Sequence, residues 1–298
     1  MTHPVFILAP PRSFTSVVCG MIGQHPQLYG LPEVNLFAGA TLADLGRWHG
    51  ARPRLRHGLL RAVAELGLKG QEPADIDAAE SWLTENASQP TATIWADLAA
   101  WAGPRGLVDK SPIYVLEEGA LDRIWNGVPG ARFIHMTRHP AGTCRSMQGL
   151  RDYIAKAGGR VAGAARGKGA AIDPGKFWLE PHLRAKEFLD SLPADRWLRL
   201  RGEDLMEAPD TYLPQIAEWL GLRTDAEAIA AMKQPEASAF ARMGPANARF
   251  GNDPGFMESP ALRPYHARAE SLDDPLPEGV TGGWSDTLRH YARLFGYR

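Results

Sequence analysis

Two short stretches of the sequence carry the guanidinium and hydroxyl groups that proteins use to bind anions. The first reads Ala9-Pro-Pro-Arg-Ser-Phe-Thr-Ser16 and lies between an apolar run, Val5–Leu8, and a stretch with helical spacing. A turn from strand to helix places backbone N–H groups and the positive end of the helix dipole beside a ligand. Arg12 adds a permanent charge with a bidentate fork. The stretch therefore predicts a phosphate-binding turn.

The second stretch, Arg138-His-Pro-Ala-Gly-Thr-Cys-Arg-Ser146, repeats this arrangement after another apolar run. Ser146 follows Arg138 by eight residues, which is about two helical turns. An arginine at the end of a strand and a serine on the following helix are able to hold one phosphate from two sides. Two such turns at one sheet edge predict a ligand with phosphates at both ends.

The first loop lacks the residues of the nucleotide loops with known motifs. It has no glycine between Val5 and Cys19 and no lysine, whereas the ATP- and GTP-binding form is G-x-x-x-x-G-K-[ST]. G-x-G-x-x-G does not follow the strand either, which disfavours dinucleotide binding. The histidine and cysteine spacing predicts no metal site. Taken alone, the loop also fits a helix start with a surface arginine.

Strand-like and helix-like stretches alternate around these turns. The runs read as strands are Val5–Leu8, Leu107–Val108, Arg132–Thr137 and Trp197–Leu200. Helical spacing follows them over residues 16–24, 113–125, from about 140 and over 211–220. This alternation predicts an α/β fold with a P-loop-like parallel sheet flanked by helices. Right-handed crossovers then place the strand ends and the helix starts at one edge.

The composition is that of a globular protein with balanced charge. The 298 residues are 44% hydrophobic and 22% charged, with 33 Lys and Arg against 34 Asp and Glu. A net charge of -1 disfavours nucleic acid and anionic membranes as partners, so any anion site must be local. No stretch approaches the roughly 20 apolar residues of a membrane span. With only two cysteines, the sequence predicts a cytoplasmic protein, and its oligomeric state stays open.

We interpret the chain as a single domain over residues 1–298. Residues 36–103 have helical spacing and are expected to form a helical cap inserted into that domain. Residues 157–171 are rich in Gly and Ala with one large apolar residue, which predicts a mobile loop. This loop would be either a lid over an active site or a plain connector, and the sequence leaves both roles open.

The order of these motifs resembles one protein family over essentially the whole chain. Pro10-Pro-Arg-Ser-Phe-Thr-Ser16 resembles the 5′-phosphosulfate loop of sulfotransferases that use 3′-phosphoadenosine 5′-phosphosulfate (PAPS). Arg138 with Ser146 resembles their 3′-phosphate motif at the same spacing. Further matches are Val108-Asp-Lys-Ser-Pro-Ile113, Arg201-Gly-Glu-Asp-Leu205, Trp219-Leu-Gly-Leu222 and Leu294-Phe-Gly-Tyr297. Among the branches, the chain looks most like the tyrosylprotein-type and the bacterial polyketide-associated enzymes.

The resemblance implies a role for each matching residue. Arg12 would touch the 5′-phosphate and the transferring sulfuryl group, and Arg138 with Ser146 would bind the 3′-phosphate. The remaining 5′-phosphate contacts would come from Pro11, Ser13, Phe14, Thr15 and Ser16. The cytosolic branch has a histidine base two residues after a lysine, but here that stretch reads Lys110-Ser111-Pro112.

The base is therefore expected elsewhere. Tyrosylprotein-type enzymes use a glutamate after the first helix, and Glu33 matches it, with a salt bridge to an arginine as its alternative role. Lys110 would be a second cation on the sulfuryl oxygens and Ser111 an adjacent donor. The reaction needs no metal.

Two positions depart from the family pattern. The tyrosine that often precedes Glu-Asp-Leu, and contacts the adenine, is Gly202 here. The late basic loop is represented by a poorly matching stretch in which Arg242, Gly244 and Asn247 are the candidates for 3′-phosphate contacts.

The acceptor is less well defined. The stretch from Arg56 to Leu66 is similar to polyketide sulfotransferase domains, which sulfate a β-hydroxyl on a carrier-bound chain before elimination. We therefore expect a small-molecule or carrier-bound acceptor, while a carbohydrate or a tyrosine stays open. A basic patch for an acidic carrier would come from Arg47, Arg52, Arg54, Arg56 and Arg61, unless these form an ordinary solvated face. The other function classes are a P-loop kinase of a small metabolite and a non-catalytic nucleotide-binding protein.

Overall fold

Five strands form one parallel sheet. In the computed structural model, which describes residues 2–50, 53–156 and 171–298, they are β1 (Val5–Leu8), β2 (Leu28–Gly30), β3 (Gly106–Asp109), β4 (Arg132–Thr137) and β5 (Trp197–Arg201). Their order across the sheet is β2-β3-β1-β4-β5, and every pairing is parallel. The predicted α/β fold is confirmed. Sequence periodicity does not reveal β2, because three residues are too few to show alternation.

Helices connect these strands and cover both faces of the sheet. In chain order they are α1 (Thr15–Gly23), α2 (Leu42–Gly50), α3 (His57–Val63), α4 (Pro73–Glu85), α5 (Thr91–Trp101), α6 (Ala120–Gly127), α7 (Pro140–Lys156), α8 (Glu180–Asp190), α9 (Gly202–Glu207), α10 (Pro209–Leu220), α11 (Ala226–Met232), α12 (Pro254–Glu258) and α13 (Asp286–Leu294). A π-helical stretch, Ala64–Leu68, continues α3, and another, Gly175–Leu179, precedes α8. Within the described ranges no helix combines the length and apolar character needed to cross a membrane.

Alternate residues of the central strand point into two separate cores. Phe6 and Leu8 belong to the core that contains α3, α5 and α6, whereas Val5 and Ile7 pack with α1 and α10 on the other face. All four side chains are almost fully buried, as expected for a central parallel strand covered on both sides. This packing fixes β1, so the loop at its carboxyl end leaves the sheet at a defined place.

Helices α2 to α5 lie between β2 and β3, in the region where the sequence predicts a helical insertion. The helix predicted over 113–125 is instead two pieces, a 3-10 turn over Pro112–Val115 and α6. Gly119, with φ of 71°, separates them, and this left-handed conformation interrupts a right-handed helix. The predicted mobile loop lies outside the described residues except for its last residue, Ala171.

A buried histidine pair holds α8 against β4. His135 Nε2 and His182 Nδ1 are 2.9 Å apart, and Arg199 donates to His135 Nδ1 at 3.1 Å. Burial, and then the charge of Arg199, lowers the pKa of His182 to about 3. Burial likewise lowers the pKa of His135 well below its usual value. Both imidazoles are therefore neutral in the folded protein at pH 7, and this pair is part of the core.

This pair predicts an acid-sensitive stability. The unfolded chain takes up a proton on His182 below pH 6.5 and the folded chain does not until about pH 3, so stability falls as the pH falls through this window. Relative to His182→Gln, the wild-type free energy of unfolding should decrease between pH 6.5 and 5, with a slope that rises to about 1.4 kcal/mol per pH unit at the lower end of this range. Urea unfolding of both proteins at several pH values measures this difference. Parallel pH curves would show that His182 is not neutral in the fold.

Candidate active site

The loop after β1 presents unpaired donors at the sheet edge. Arg12 and Phe14 adopt left-handed φ angles of 73° and 62°, conformations that bring successive N–H groups toward one side. Helix α1 begins without a side-chain hydrogen bond to its first N–H groups. The Ser13 hydroxyl is fully buried and has no hydrogen-bond partner among the residues that the structure describes. Donors of this kind are those that proteins use to bind oxyanions.

Arg12 joins this loop to the second anion-binding turn. Its Nε donates to Ser146 Oγ at 3.0 Å, and Arg138 Nη1 donates to the Arg12 carbonyl at 2.8 Å. Burial and the charge of Arg138 lower the pKa of Arg12 to about 10, which leaves it charged at pH 7. The structure thus brings together Arg12, Arg138 and Ser146, which the sequence predicts to bind one ligand.

Glu33 and Lys110 form an ion pair beside this loop. Lys110 Nζ lies 2.6 Å from Glu33 Oε1 and donates to Ser16 Oγ at 2.8 Å. The Lys110 side chain is fully buried, whereas Glu33 lines the cavity and is 24% exposed. The partner of Glu33 is thus this lysine and not an arginine. Lys110 lies behind Glu33 and Ser16, where it places a positive charge under the cavity wall.

The backbone of Glu33 is held by two other segments. Its N–H donates to the Gly251 carbonyl at 2.6 Å. On the other side α3 passes so closely that a Cβ on Gly58 would be 2.0 Å from the Glu33 carbonyl oxygen. Only glycine allows this approach. The carboxylate therefore has a defined position set by contacts far apart in the sequence.

Ser111 lies behind the cavity wall. Its hydroxyl donates to Asp109 Oδ1 at 2.9 Å and accepts from the N–H of Asn35 at 2.9 Å, and Tyr114 donates to the other Asp109 oxygen. Burial raises the pKa of Asp109 to about 6. Ser111 is not among the residues that line the cavity, so the structure does not bring its hydroxyl to the reaction centre. It instead supports Asn35, which does line the cavity.

Two cavities meet at Arg138, Ser146 and Tyr265. The first, of about 550 Å³, contains Arg12 and Glu33 and has an apolar wall of Leu55, Pro112, Ile113, Leu116 and Leu150. The second, of about 710 Å³, is lined by the cationic side chains of Arg138, Arg145, Arg201 and Arg268. Basic groups are thus concentrated on the second cavity, while the first combines the loop after β1 with an apolar surface.

The late-loop candidates are not brought to these cavities. Asn247 donates to the Pro73 carbonyl and to Asp77 on α4, and a Cβ on Gly244 would be 2.9 Å from Arg61 Nε. Arg242 lines neither cavity. This part of the chain packs on the helical insertion, so it lies away from Arg138 and Ser146. The basic residues that line the second cavity with Arg138 instead include Arg145 and Arg268. Burial, and then the charges of Arg268 and Arg138, lower the pKa of Arg145.

Sequence reasoning did not identify the acidic and aromatic residues that line the two cavities. Asp253 forms an ion pair with Arg12, and Glu270 pairs with Arg145. Tyr265 packs edge-on against Phe14 with ring centres 5.4 Å apart. These residues come from a stretch with little regular structure, where neither periodicity nor a motif marks them.

Gly202 provides space for the ring of Phe14. A Cβ at Gly202 would be 2.5 Å from Phe14 Cδ2, closer than real contacts allow. Arg138 also lies over this ring, with its guanidinium carbon 4.3 Å from the ring centre. A phenylalanine in the loop and a glycine directly after β5 are therefore sterically matched. This match accounts for the absence of a larger residue at position 202.

Gly202→Ala should consequently destabilise the protein. The added methyl group forces the Phe14 ring from its place, which we expect to lower the free energy of unfolding by about 1–3 kcal/mol. Gly149→Ala is the matched control, since a Cβ there meets no atom of the described residues within 4 Å and Gly149 is exposed. Urea unfolding compares the two variants, and an equal effect of both would contradict the steric match.

Two basic strand-to-helix turns thus lie at one edge of the parallel sheet of an α/β protein. The family comparison then identifies the class. The model of the sulfotransferase family matches residues 4–226, so the chain belongs to the sulfotransferase family.

Two solved structures cover the whole chain. The sulfotransferase domain from the Synechococcus PCC 7002 olefin synthase has a TM-score of 0.76 and 25% identity, over 100% of this chain and 97% of that domain. The sulfotransferase domain from the curacin biosynthetic pathway has a TM-score of 0.77 and 21% identity, over 100% and 99%. At 21% identity, the similarity to the curacin domain is one of fold. A comparison with curated protein sequences gives no match.

Proposed function

We propose that this sulfotransferase moves a sulfuryl group from PAPS to a hydroxyl of a small-molecule or carrier-bound acceptor. The observation that carries the proposal is the meeting of Arg12, Arg138 and Ser146 beside the Glu33–Lys110 pair. Two basic subsites fit a donor with phosphates at both ends, and the carboxylate supplies a base next to one of them. The loop residues Pro11 to Ser16 would hold the 5′-phosphate, and Arg138 with Ser146 the 3′-phosphate.

The transfer needs one proton acceptor and stabilisation of one leaving group. The acceptor oxygen forms a bond to sulfur while the bond from sulfur to the 5′-phosphate oxygen breaks, and the hydroxyl proton goes to Glu33. Arg12 and the loop N–H groups stabilise the charge that develops on the leaving phosphate. Lys110 keeps Glu33 in place and ties it to Ser16. The described residues contain no group of three or more potential ligands placed to hold a metal ion.

Titration calorimetry with 3′-phosphoadenosine 5′-phosphate (PAP) tests the donor. Adenosine 5′-phosphate and ADP with Mg²⁺ are the comparison ligands, since the first lacks the 3′-phosphate and the second is the ligand of a kinase. We expect micromolar binding of PAP that depends on its 3′-phosphate. Preference for ADP with Mg²⁺ would support the kinase class and contradict the sulfotransferase proposal. Binding of PAP without turnover on any acceptor would favour a non-catalytic nucleotide-binding protein.

The apolar wall of the first cavity supports an acceptor with an aliphatic or aromatic part. Leu55, Ile113 and Leu116 lie on the same cavity as Glu33, so an apolar chain beside the reacting hydroxyl would be desolvated there. One of the similar structures is a domain of an olefin synthase. A β-hydroxyacyl thioester is therefore the first acceptor to test, with a tyrosine peptide and a monosaccharide as the alternatives. Faster sulfation of either alternative would replace the acyl acceptor in this proposal.

The fold leaves fewer exposed, unpaired arginines in the predicted basic patch for a carrier. Arg61 is 2% exposed and donates to backbone carbonyls, so it is part of the interior. Arg47 pairs with Asp44, and Arg56 pairs with Glu80. The charges of these surface arginines are therefore partly neutralised, and an acidic carrier would meet a weaker field than the sequence alone predicts.

A further inference from the structure

Two carboxylates from one segment are paired with the cations of the two cavities. We call residues 252–270 the covering segment, because parts of it line both cavities. Near its start Asp253 forms an ion pair with Arg12. At its end Glu270 pairs with Arg145 and lies 3.0 Å from His139 Nδ1. Each end of the segment thus places a negative charge at a basic subsite.

The two carboxylates have little else to bind. Asp253 uses one oxygen to cap α12 at the Phe256 N–H, and its other oxygen goes to Arg12. Both oxygens of Glu270 contact cationic or titratable groups, one Arg145 and the other His139. Their side chains are 23% and 13% exposed, so the pairs are partly screened from water. A carboxylate on an arginine fork has the charge and the acceptor geometry of a phosphate oxygen pair.

The part of the chain between Asp253 and Glu270 runs along both cavities. Tyr265 lines both cavities and packs on Phe14, the loop residue whose ring also carries Arg138. From residue 260 to 270 the covering segment has no helix or strand. Its position therefore depends on side-chain contacts such as these ion pairs, and not on backbone hydrogen bonds of regular structure.

We infer that Asp253 and Glu270 are internal competitors of the donor, Asp253 at the 5′ end and Glu270 at the 3′ end, and that they set its affinity and selectivity. The inference rests on the proposed function, because it takes Arg12 as part of the 5′-phosphate subsite. It adds Arg145, which lines the second cavity together with Arg138 and Ser146, to the 3′-phosphate subsite. Asp253 occupies Nη1 of Arg12 and Glu270 occupies Nη2 of Arg145, so a phosphate that takes the same N–H groups binds only when the carboxylate has left. Affinity is reduced by the fraction of molecules in which the ion pair is closed.

Each carboxylate opposes only the phosphate of its own subsite. Removing the charge of Asp253 should strengthen ligands with a 5′-phosphate, and removing that of Glu270 should strengthen ligands with a 3′-phosphate. For ion pairs of this exposure the expected gain is about fivefold in affinity. PAP carries both phosphates and should gain in both variants.

Calorimetric titration of three ligands into three variants tests this inference. The ligands are PAP, adenosine 5′-phosphate and adenosine 3′-phosphate, at constant ionic strength. The variants are Asp253→Asn, Glu270→Gln and, as a control, Asp273→Asn. Asparagine caps a helix as well as aspartate does, so the first variant keeps α12. Asp273 is an exposed carboxylate paired with Arg289 outside both cavities, and its variant should bind like the wild type.

A crossed pattern supports the inference: Asp253→Asn tightens PAP and adenosine 5′-phosphate but not adenosine 3′-phosphate, and Glu270→Gln tightens PAP and adenosine 3′-phosphate but not adenosine 5′-phosphate. Weaker binding in either variant would mean that the carboxylate supports the site, and would overturn the inference. Equal tightening of all ligands, or of the control, would overturn it as well, since it would reflect only net charge. Binding of PAP to the wild type with unchanged constants in both variants overturns the competition alone. Failure of every protein to bind any of the ligands overturns the proposed function itself.

Discussion

Glu33→Gln is expected to reduce turnover by about a thousandfold while leaving PAP affinity within about threefold of the wild type. A general base contributes typically 10²–10⁴ in rate, and glutamine has no carboxylate to take the proton of the acceptor. The amide keeps the length of the side chain and still accepts a hydrogen bond from Lys110, so the wall around the donor changes little. Single-turnover rates with saturating donor, together with calorimetry of PAP, measure the two properties separately.

Two further variants separate a chemical role of Glu33 from a structural one. Glu33→Asp retains a carboxylate at a shorter reach and should recover part of the rate, which a packing role would not predict. Glu80→Gln removes an exposed glutamate that pairs with Arg56 and should leave the rate unchanged. If Glu33→Gln keeps more than about a tenth of the wild-type rate, another group accepts the proton.

Arg138→Ala is expected to weaken PAP binding by about a hundredfold. Hydrogen bonds to charged groups are worth about 1.5–3 kcal/mol each, and a guanidinium on a phosphate makes more than one. Arg138 also donates to the Arg12 carbonyl and covers Phe14, so its loss loosens the first loop as well. Turnover at saturating donor should fall much less than affinity. Calorimetry with PAP and with adenosine 5′-phosphate gives the contribution of the 3′-phosphate.

The conservative variant and a surface arginine serve as controls for this prediction. Arg138→Lys keeps the charge but not the bidentate fork, so it should restore only part of the affinity. Arg289→Ala removes an arginine that pairs with the exposed Asp273 and should not change binding. An equal loss of affinity for PAP and adenosine 5′-phosphate would mean that Arg138 does not recognise the 3′-phosphate.

Both predictions assign one task to each side of the sheet edge. Glu33 acts on the acceptor and Arg138 on the donor, and the loop that carries Arg12 lies between them. If both variants lost binding and turnover to the same extent, the division would be wrong, and the site would have to be treated as one cooperative unit.

The sequence by itself determined the parts of this protein that depend on neighbours along the chain. A buried strand, a turn and a helix are local, so Val5–Leu8 followed by Pro11 to Ser16 was recognisable as an anion-binding turn. The same holds for Arg138 with Ser146, since both lie on one strand-to-helix unit. The alternation of these units also predicted the α/β fold, which the structure confirms.

Only the tertiary structure decided which distant residues meet. Glu33 and Lys110 are 77 positions apart, and Asp253 and Arg12 are 241 apart, so no spacing reveals either pair. The match of Gly202 to Phe14 is likewise a steric contact between two separate loops. The late segment has no periodicity to place its charges, and the fold brings Arg268 and Glu270 to the site where the sequence suggested Arg242 and Asn247. Side-chain contacts between remote segments depend on packing, and packing is a property of the whole chain.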